Sequence, residues 1–275
     1  MYTQPKNTTA GKPVTVSTLA KMKANGEKFA ALTAYDASFA AMLDAAGVDV
    51  VLVGDSLGMV VQGHSTTVPV TMDDMVYHGR MVARGLRRAL FMIDMPFMSY
   101  ATPDTALTNA ARLMQEAGAH MVKLEGNANQ AGVVEHLAGN DVPVCAHLGL
   151  RPQSVHKVGG FKVQGREQSA AQQMIADAKT LANAGADIIL LELVPSALAK
   201  EITATVSVPV IGIGAGPDVD AQVLVLYDML DITPGRRPKF AKNYMAGAAS
   251  PLEAVQNFVA EVRDGTYPAP EHCFD

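Results

Sequence analysis

One pattern recurs three times along the chain: an Ala-rich stretch ends in Ala-Gly, and a short run of apolar residues follows at once. The three copies read AAGVDVVLV, EAGAHMVKL and NAGADIILL. A glycine directly after an amphipathic run is typical of a helix terminus, and a short continuous apolar run is typical of a strand buried on both faces. The repeat therefore predicts helices that alternate with parallel strands.

The same alternation continues along the chain and predicts eight strands. They lie around residues 30–34, 50–54, 90–94, 121–124, 144–147, 188–192, 210–212 and 225–230. Eight such units make an α/β fold of the (β/α)8 TIM-barrel class, and a length of 275 residues suits a single barrel domain over residues 1–275. Residues 15–25 predict an extra N-terminal helix, which we expect to plug the amino-terminal mouth of the barrel.

Composition excludes several classes of function. The net charge of −5 and the short basic stretches leave no broad basic face for nucleic acid. The two cysteines, Cys145 and Cys273, indicate neither a disulfide framework nor a zinc cluster, which favours a reducing, cytoplasmic location. The opening residues lack an apolar signal core, and no window approaches the ~18 apolar residues of a membrane span. We expect no nucleic-acid partner and no membrane partner.

Five of the predicted strands end at an ionisable residue. These residues are Asp55, Asp94, Glu125, His147 and Glu192. An interior strand gains nothing structurally from an ionisable group at its carboxyl end, because burying such a group is costly. In a (β/α)8 barrel the carboxyl ends of the strands form the active face. The pattern therefore predicts that the five side chains converge on one reaction centre.

Three of these residues are carboxylates on successive strands: Asp55, Asp94 and Glu125. Carboxylates held close together repel one another and raise one another's pKa unless a cation lies among them. All the donors are oxygens, which favours a hard divalent ion, most plausibly Mg2+. The alternative for one or two of these residues is an N-cap of the helix that follows.

Lys123 lies two residues before Glu125, so both side chains point to the same side of their strand. We favour a role for Lys123 in binding a substrate carboxylate; the alternative is an internal ion pair that neutralises Glu125. Glu192 follows four apolar residues, so burial raises its pKa toward the range of a general base. His147 is the competing candidate for the base, or a hydrogen-bonding partner of the substrate.

Two glycine motifs invite a functional interpretation that their context does not support. GDSLG has the letters of a nucleophile elbow around Ser56, but the acid and histidine of a hydrolase lack their usual order. We expect Ser56 to hold a carboxylate oxygen of the substrate instead. GIGAGP, residues 212–217, has Pro217 in the place of the third glycine of a dinucleotide-binding motif, so we predict a tight strand-to-helix turn there.

A long loop follows the strand that ends at His147. Its sequence, RPQSVHKVGGFKVQGR, is longer than most βα loops and contains Gly159, Gly160 and Gly165. Long loops at the carboxyl end of a barrel are often lids, which indicates a lid over the predicted site.

Several segments together resemble one family closely, ketopantoate hydroxymethyltransferase (3-methyl-2-oxobutanoate hydroxymethyltransferase). They are LTAYDASFA, VGDSLGMVVQGHSTTVPVTMDDMVYHGRMVARG, DMPFMSY, VKLEG, AHLGLRPQSVHKVGGFKVQGR, LLELVP and VPVIGIGAG. The resemblance implies a barrel of the phosphoenolpyruvate/pyruvate type. It also implies hydroxymethyl transfer from 5,10-methylenetetrahydrofolate to the keto acid 3-methyl-2-oxobutanoate, giving ketopantoate, the first step of the pantothenate branch, through a Mg-stabilised enolate.

The resemblance also assigns roles to residues of this chain. It implies that Asp55, Asp94 and Glu125 hold Mg2+, that Ser56 and Lys123 bind the keto acid, and that Glu192 is the base. We also expect Asp55, Asp94 and His147 to contribute to binding of the substrate. It further implies a homo-oligomer, commonly a decamer. Lys157, Lys162 and Arg151 are candidates for contacts with folate carboxylates, although a solvated loop charge is the more ordinary explanation.

Two other functions compete with this one. A lyase or mutase of the same barrel superfamily would share Mg2+ and enolate chemistry, but such lyases usually carry a reactive loop cysteine, whereas Cys145 is predicted inside a strand. A catalytically idle barrel that only binds a ligand would show the loss of a strand-end carboxylate. None of these carboxylates is missing.

Overall fold

Eight parallel strands close into one barrel in the computed structural model, which describes residues 11–233 and 235–275. Each strand pairs with the next along the chain, and the eighth pairs with the first. This confirms the predicted (β/α)8 class. The strands are β1 Phe29–Thr33, β2 Val50–Val53, β3 Leu90–Asp94, β4 Met121–Glu125, β5 Val144–Gly149, β6 Ile188–Glu192, β7 Val210–Ile213 and β8 Ala221–Leu224.

Helices surround the barrel and fill most of the connections between strands. In the described residues they are α1 Val16–Asn25, α2 Ala37–Ala46, α3 Leu57–Val60, α4 Met72–Gly85, α5 Pro103–Gln115, α6 Ala131–Ala138, α7 Val155–Val158, α8 Gln168–Asn183, α9 Ser196–Thr205, α10 Leu226–Met229 and α11 Pro251–Asp264. None of them is long and apolar enough to cross a membrane.

The three Ala-Gly repeats end helices as predicted. Gly47, Gly118 and Gly185 have φ values of 89°, 80° and 104°, in the left-handed region that glycine adopts without a Cβ penalty. Each lies between a helix and the next strand. The repeat is therefore a turn that reverses the chain from the end of a helix into a buried strand.

The polar residue that opens every second strand has a structural function. Asp49, His120, Asp187 and Asp220 each accept a hydrogen bond, 2.8–3.1 Å long, from a main-chain amide near the start of the preceding strand. A buried amide without a partner is costly, so these side chains complete the hydrogen bonding at the amino-terminal edge of the barrel.

Helix α1 lies across the amino-terminal mouth of the barrel. Leu19 is fully buried, and Lys23 Nζ forms an ion pair of 2.8 Å with Asp220, directly before β8. Just before the helix, the amide of Val14 donates to the carbonyl of Arg88, close to the start of β3. These contacts confirm the extra N-terminal helix at the predicted mouth.

The eighth strand was predicted in the wrong place. Residues 225–230 were expected to form it, whereas β8 is Ala221–Leu224 and the short helix α10 occupies Leu226–Met229. The segment AQVLVLYDML is apolar almost throughout, and an uninterrupted apolar run does not separate a buried strand from a buried helical turn. The carboxylate of Asp220 marks the true start of the strand.

The turn after β7 also differs from the prediction. Residues 214–220 lead directly from β7 to β8, so the expected strand-to-helix turn is wrong. Gly214 and Gly216 have φ values of 60° and 78°, and a Cβ on Gly216 would lie 2.5 Å from the Ser196 Oγ. No helix begins directly after this turn among the described residues, so the turn lacks the helix N-terminus on which a dinucleotide-binding motif holds a phosphate group.

Candidate active site at the carboxyl ends of the strands

A cavity of about 770 Å3 opens at the carboxyl ends of the barrel strands. All seven residues that the sequence nominated for the metal, for keto-acid binding or for catalysis line this one cavity. They are Asp55, Ser56, Asp94, Lys123, Glu125, His147 and Glu192. The predicted convergence of the strand ends is therefore present in the structure.

Strand register places these side chains next to one another. Asp94 on β3 is the register partner of Lys123 on β4, and Glu125 on β4 is the partner of His147 on β5. Lys123 and Glu125 both point into the barrel, as period-two alternation predicts. The pairing of neighbouring strands thus places a carboxylate beside a basic side chain twice: Asp94 beside Lys123, and Glu125 beside His147.

Asp94 connects two of its neighbours. Its Oδ2 accepts a hydrogen bond of 3.0 Å from the amide of Asp55, and its Oδ1 accepts one of 2.5 Å from Lys123 Nζ. Lys123 is 5% exposed, so this is a buried, charge-assisted hydrogen bond. Of the two alternatives for Lys123, the internal ion pair with Glu125 is not observed; the partner is Asp94.

Burial and mutual repulsion perturb the carboxyl groups. Burial, followed by the charge of Asp94, raises the pKa of Asp55 to about 7. Burial and then the charge of Asp55 raise the pKa of Glu125 well above its ordinary value. Burial alone would lower the pKa of Lys123, but the surrounding carboxylates outweigh it and raise that pKa above its ordinary value. The site therefore concentrates negative charge around one lysine.

Gln153 is a central residue of the site that sequence reasoning missed. Its Nε2 donates to Asp55 Oδ2 at 2.8 Å and to the carbonyl of Met95 at 3.0 Å, while its main-chain amide donates to Glu125 Oε2 at 3.1 Å. Its Oε1 accepts a hydrogen bond of 2.5 Å from Tyr100 Oη. Gln153 lies in the first turn of the loop after β5, so it holds two carboxylates and anchors that loop.

Ser56 has a single side-chain partner within the site. Its Oγ lies 2.9 Å from Tyr35 Oη, and either hydroxyl is able to donate. Burial raises the pKa of Tyr35 further above its ordinary value, so the phenol stays protonated. In the described part of the chain, the Ser56 hydroxyl has no hydrogen bond to a histidine.

Glu192 and His147 form the other side of the cavity. His147 Nε2 lies 3.3 Å from Glu192 Oε2, and His147 Nδ1 lies 3.8 Å from Glu125 Oε1. Neither ring nitrogen has a hydrogen bond of good geometry. Burial lowers the pKa of His147 well below its usual value, whereas burial raises the pKa of Glu192 to about 8. The imidazole is therefore neutral, and Glu192 titrates near neutral pH.

The three carboxylates are not used as helix caps. The residues at the N-caps of the following helices are Ser56, Thr102 and Asn127, so the N-cap alternative for Asp55, Asp94 and Glu125 is not observed. In the described part of the chain, no three His, Cys, Asp or Glu side chains are gathered into a ready metal cluster. The donor set nevertheless fits a hard divalent cation, since all its donors are oxygens and since a cation would lower the raised pKa values of Asp55 and Glu125.

The outer part of the cavity is apolar and aromatic. Phe161 and Val163 of the loop after β5 line it, together with Phe240 and Phe274. Among the described residues, three cationic side chains line the cavity as a whole: Lys123, Arg236 and Lys239. The loop cations Arg151, Lys157 and Lys162 do not line it. The loop predicted as a lid thus contributes apolar side chains to the cavity rather than its charges.

Cys145 has the environment of an inert thiol. It is fully buried within β5, and burial raises its pKa to about 12. A thiol in this state is no nucleophile near neutral pH. The structure therefore gives no support to the reactive cysteine of the competing lyase function.

We compared the chain with known protein families and with proteins of known sequence. A family model described as ketopantoate hydroxymethyltransferase matches residues 13–270. The chain is 60% identical to 3-methyl-2-oxobutanoate hydroxymethyltransferase of Alkalilimnicola ehrlichii over 263 residues, covering 96% of this chain and 95% of the relative. It is 59% identical to the enzyme of that name from Thiobacillus denitrificans, covering 95% and 100%.

Among solved structures, the chain resembles 2,3-dimethylmalate lyase, a member of the PEP mutase/isocitrate lyase superfamily. The TM-score is 0.57 at 16% identity, with 76% of this chain and 80% of that chain covered. This similarity concerns the fold, and it agrees with the (β/α)8 barrel observed here.

Proposed function

Since this chain belongs to the ketopantoate hydroxymethyltransferase family and is an enzyme of one-carbon transfer, we propose that its co-substrates are 3-methyl-2-oxobutanoate and 5,10-methylenetetrahydrofolate. The net reaction replaces the C3–H bond of the keto acid by C3–CH2OH. Water supplies the hydroxyl oxygen, and tetrahydrofolate is released with ketopantoate. The keto acid must first lose its C3 proton, so the site needs a base and a means to stabilise the enolate.

The pair Glu192–His147 carries this proposal. Glu192 is a carboxylate with a pKa of about 8 in a buried cavity, and its one ion-pair contact within 4 Å in the described residues is with the neutral imidazole of His147. A base is most effective when its pKa lies close to the operating pH. Glu192 therefore accepts the C3 proton, and His147 orients the carboxylate or hydrogen-bonds the substrate.

The opposite side of the cavity holds the oxygens of the keto acid. Asp55 and Asp94, with Glu125 nearby, would hold Mg2+, which when bound neutralises negative charge on the keto and carboxylate oxygens of the substrate. A protein with this fold, phosphonopyruvate hydrolase, has been solved with oxalate and Mg2+. Lys123 adds a positive charge at the same place, and Ser56 offers a hydroxyl to a carboxylate oxygen.

Formation of ketopantoate tests the proposal directly. Purified protein with Mg2+, the keto acid and 5,10-methylenetetrahydrofolate should give ketopantoate, measured by NMR. Removal of divalent ions with a chelator should stop the reaction, and added Mg2+ should restore it. Product formed equally well after chelation would contradict the role of the carboxylates. No product with any divalent ion would contradict the function itself.

We also propose a homo-oligomer in the cytoplasm, as the family resemblance implies. Both cysteines are free thiols in the structure, which suits a reducing compartment. Light scattering of the purified protein should give a mass that is a multiple of 29.0 kDa. A mass equal to that of one chain would contradict the oligomer.

A further inference from the structure

The cavity is much larger than the keto acid requires. Its volume of about 770 Å3 lies within the range of ~300–1,000 Å3 that encloses drug-sized ligands. The groups that suit the keto acid are confined to its floor, where Asp94 and Lys123 are 2% and 5% exposed. Phe161, by contrast, is 51% exposed at the outer rim. The outer part of the cavity therefore remains for a second, larger substrate.

Aromatic side chains also line the cavity. The chain is poor in aromatic residues and contains eight phenylalanines, of which Phe161, Phe240 and Phe274 line the cavity. All three lie outside the barrel strands. Aromatic side chains are well suited to contact flat ring systems by stacking or edge contacts.

Phe274 belongs to a segment, residues 273–275, that is tied to three separate parts of the cavity wall. The carbonyl of Phe274 accepts hydrogen bonds from the amide and the Oγ of Ser196, at 3.0 and 3.3 Å. Lys239 Nζ donates to the carbonyl of Cys273 at 2.6 Å, and Arg166 Nε donates to the carbonyl of Asp275 at 2.9 Å. The segment thus bridges the start of α9, the loop after α10 and the loop after β5.

The ring of Phe274 is held in place as well. A Cβ added to Gly214, at the end of β7, would lie 3.2 Å from the Phe274 Cε2. Lys239 Nζ lies 5.0 Å from the ring centroid, within the range of a cation–π contact. A glycine at residue 214 therefore leaves room for the ring beside the barrel.

We propose that residues 273–275 form a strap across the outer cavity, and that Phe274 is a specificity-determining residue which contacts the flat heteroaromatic ring of the one-carbon donor. This inference rests on the proposed function, which supplies the identity of the donor. The ring of Phe274 lies beside the end of β7, across the barrel from the strands β2, β3 and β4 that lead to Asp55, Asp94 and Glu125.

The variant Phe274→Ala tests the strap residue. We expect the KM for 5,10-methylenetetrahydrofolate to rise about tenfold, since stacking on an aromatic side chain contributes on the order of one to two decades of affinity. The KM for the keto acid and the exchange of its C3 hydrogen without donor should change less than about threefold. Phe274→Tyr should restore the donor KM, because it keeps the aromatic ring.

The matched control is Phe97→Ala, since Phe97 is 44% exposed and does not line the cavity. It should leave the donor KM unchanged. Calorimetry with tetrahydrofolate gives a second measurement that needs no turnover. Phe274→Leu replaces Phe274→Ala if the alanine variant does not fold.

The outcomes separate the strap from the proposed function. If the wild type forms ketopantoate, and Phe274→Ala has the same donor KM and the same tetrahydrofolate affinity as the wild type, the strap is overturned while the function stands. An equal loss of affinity for keto acid and donor would also overturn it. A wild-type protein that forms no ketopantoate would overturn both.

Discussion

At the scale of single residues, burial determines which side chains of the site are charged. Glu192 and His147 share one cavity, yet burial favours the neutral form of both, which leaves an uncharged imidazole and a carboxyl group with a pKa of about 8. A neutral His147 with an already low proton affinity is a poor base. The structure therefore supports the sequence-based preference for Glu192 over His147 as the base, which remains a proposal.

The pH dependence of proton removal follows from the pKa of Glu192. Only the ionised carboxylate accepts a proton, so the rate of C3 proton removal should rise about tenfold per pH unit below pH 8 and level off above it. Glu192→Gln should lower the rate by about 10²–10⁴-fold and leave Mg2+ binding, measured by calorimetry, within about threefold of the wild type. A rate that is already level at pH 6 would assign the proton transfer to another group.

Gln153 should matter for the carboxylates rather than for proton removal itself. Gln153→Leu removes the donors to Asp55 and to the Met95 carbonyl, and hydrogen bonds to charged groups contribute about 1.5–3 kcal/mol each. We expect a lower free energy of unfolding in urea by about that amount and a weaker affinity for Mg2+. Gln173→Leu is the control, because Gln173 is exposed and its Nε2 donates to a carboxylate outside the site, that of Asp177. Equal losses of stability and of Mg2+ affinity in the two variants would contradict a special role of Gln153.

The five strand-end residues of the site were predictable from the sequence, whereas Gln153 was not. Asp55, Asp94, Glu125, His147 and Glu192 follow apolar strands, and strand direction alone brings their ends to one face. Gln153 follows no such rule, because its place depends on how the loop after β5 folds back over β2 and β3. A glutamine in a loop carries no local signal for that contact.

At the scale of elements, the strands were easier to predict than their connections. Seven strands were predicted close to their observed bounds, since each lies between turn residues and a polar end. The eighth merged with α10 because residues 221–230 are apolar without a break. The plug helix α1 was predicted from the local sequence of residues 15–25, yet the ion pair that fastens it joins Lys23 to a residue about two hundred positions away.

The plug helix provides a test of how this end of the barrel is held. Lys23→Met keeps the aliphatic stem but removes the ion pair with Asp220 and the hydrogen bond to the Thr203 carbonyl. We expect a loss of about 1.5–3 kcal/mol in the free energy of unfolding, measured in urea. Lys21→Met, at an exposed position of the same helix, should change it by less than about 0.5 kcal/mol. Similar losses in both variants would mean that the ion pair is not what fastens α1.

The end of β5 gives a second test at this scale. Gly149 has φ 87°, and a Cβ there would lie 2.2 Å from the Glu192 carbonyl oxygen. Gly149→Ala should therefore cost roughly 2–6 kcal/mol through left-handed strain and overpacking, and should displace the base. Gly132→Ala, with nothing within 4 Å of the added Cβ, should be neutral or slightly stabilising. Wild-type stability and activity in Gly149→Ala would contradict the close approach.

At the scale of the whole molecule, the closed barrel brings early and late elements of the chain into contact. β1 pairs with both β2 and β8, and Arg263 of α11 contacts Asp49 at the start of β2. We propose that residues 1–275 behave as a single domain. Unfolding in urea followed by circular dichroism and by tyrosine fluorescence should give coincident transitions. Two separated transitions would indicate two domains.

The central claim is that this cavity removes the C3 proton of 3-methyl-2-oxobutanoate. The most direct measurement is the loss of the C3 proton signal by NMR in D2O, with purified protein and Mg2+ and without donor. We expect deuterium to replace that proton, faster when tetrahydrofolate is added, and not above background in Glu192→Gln. A wild-type protein that forms ketopantoate from added donor, yet shows no exchange above the buffer rate with or without tetrahydrofolate, would contradict the account.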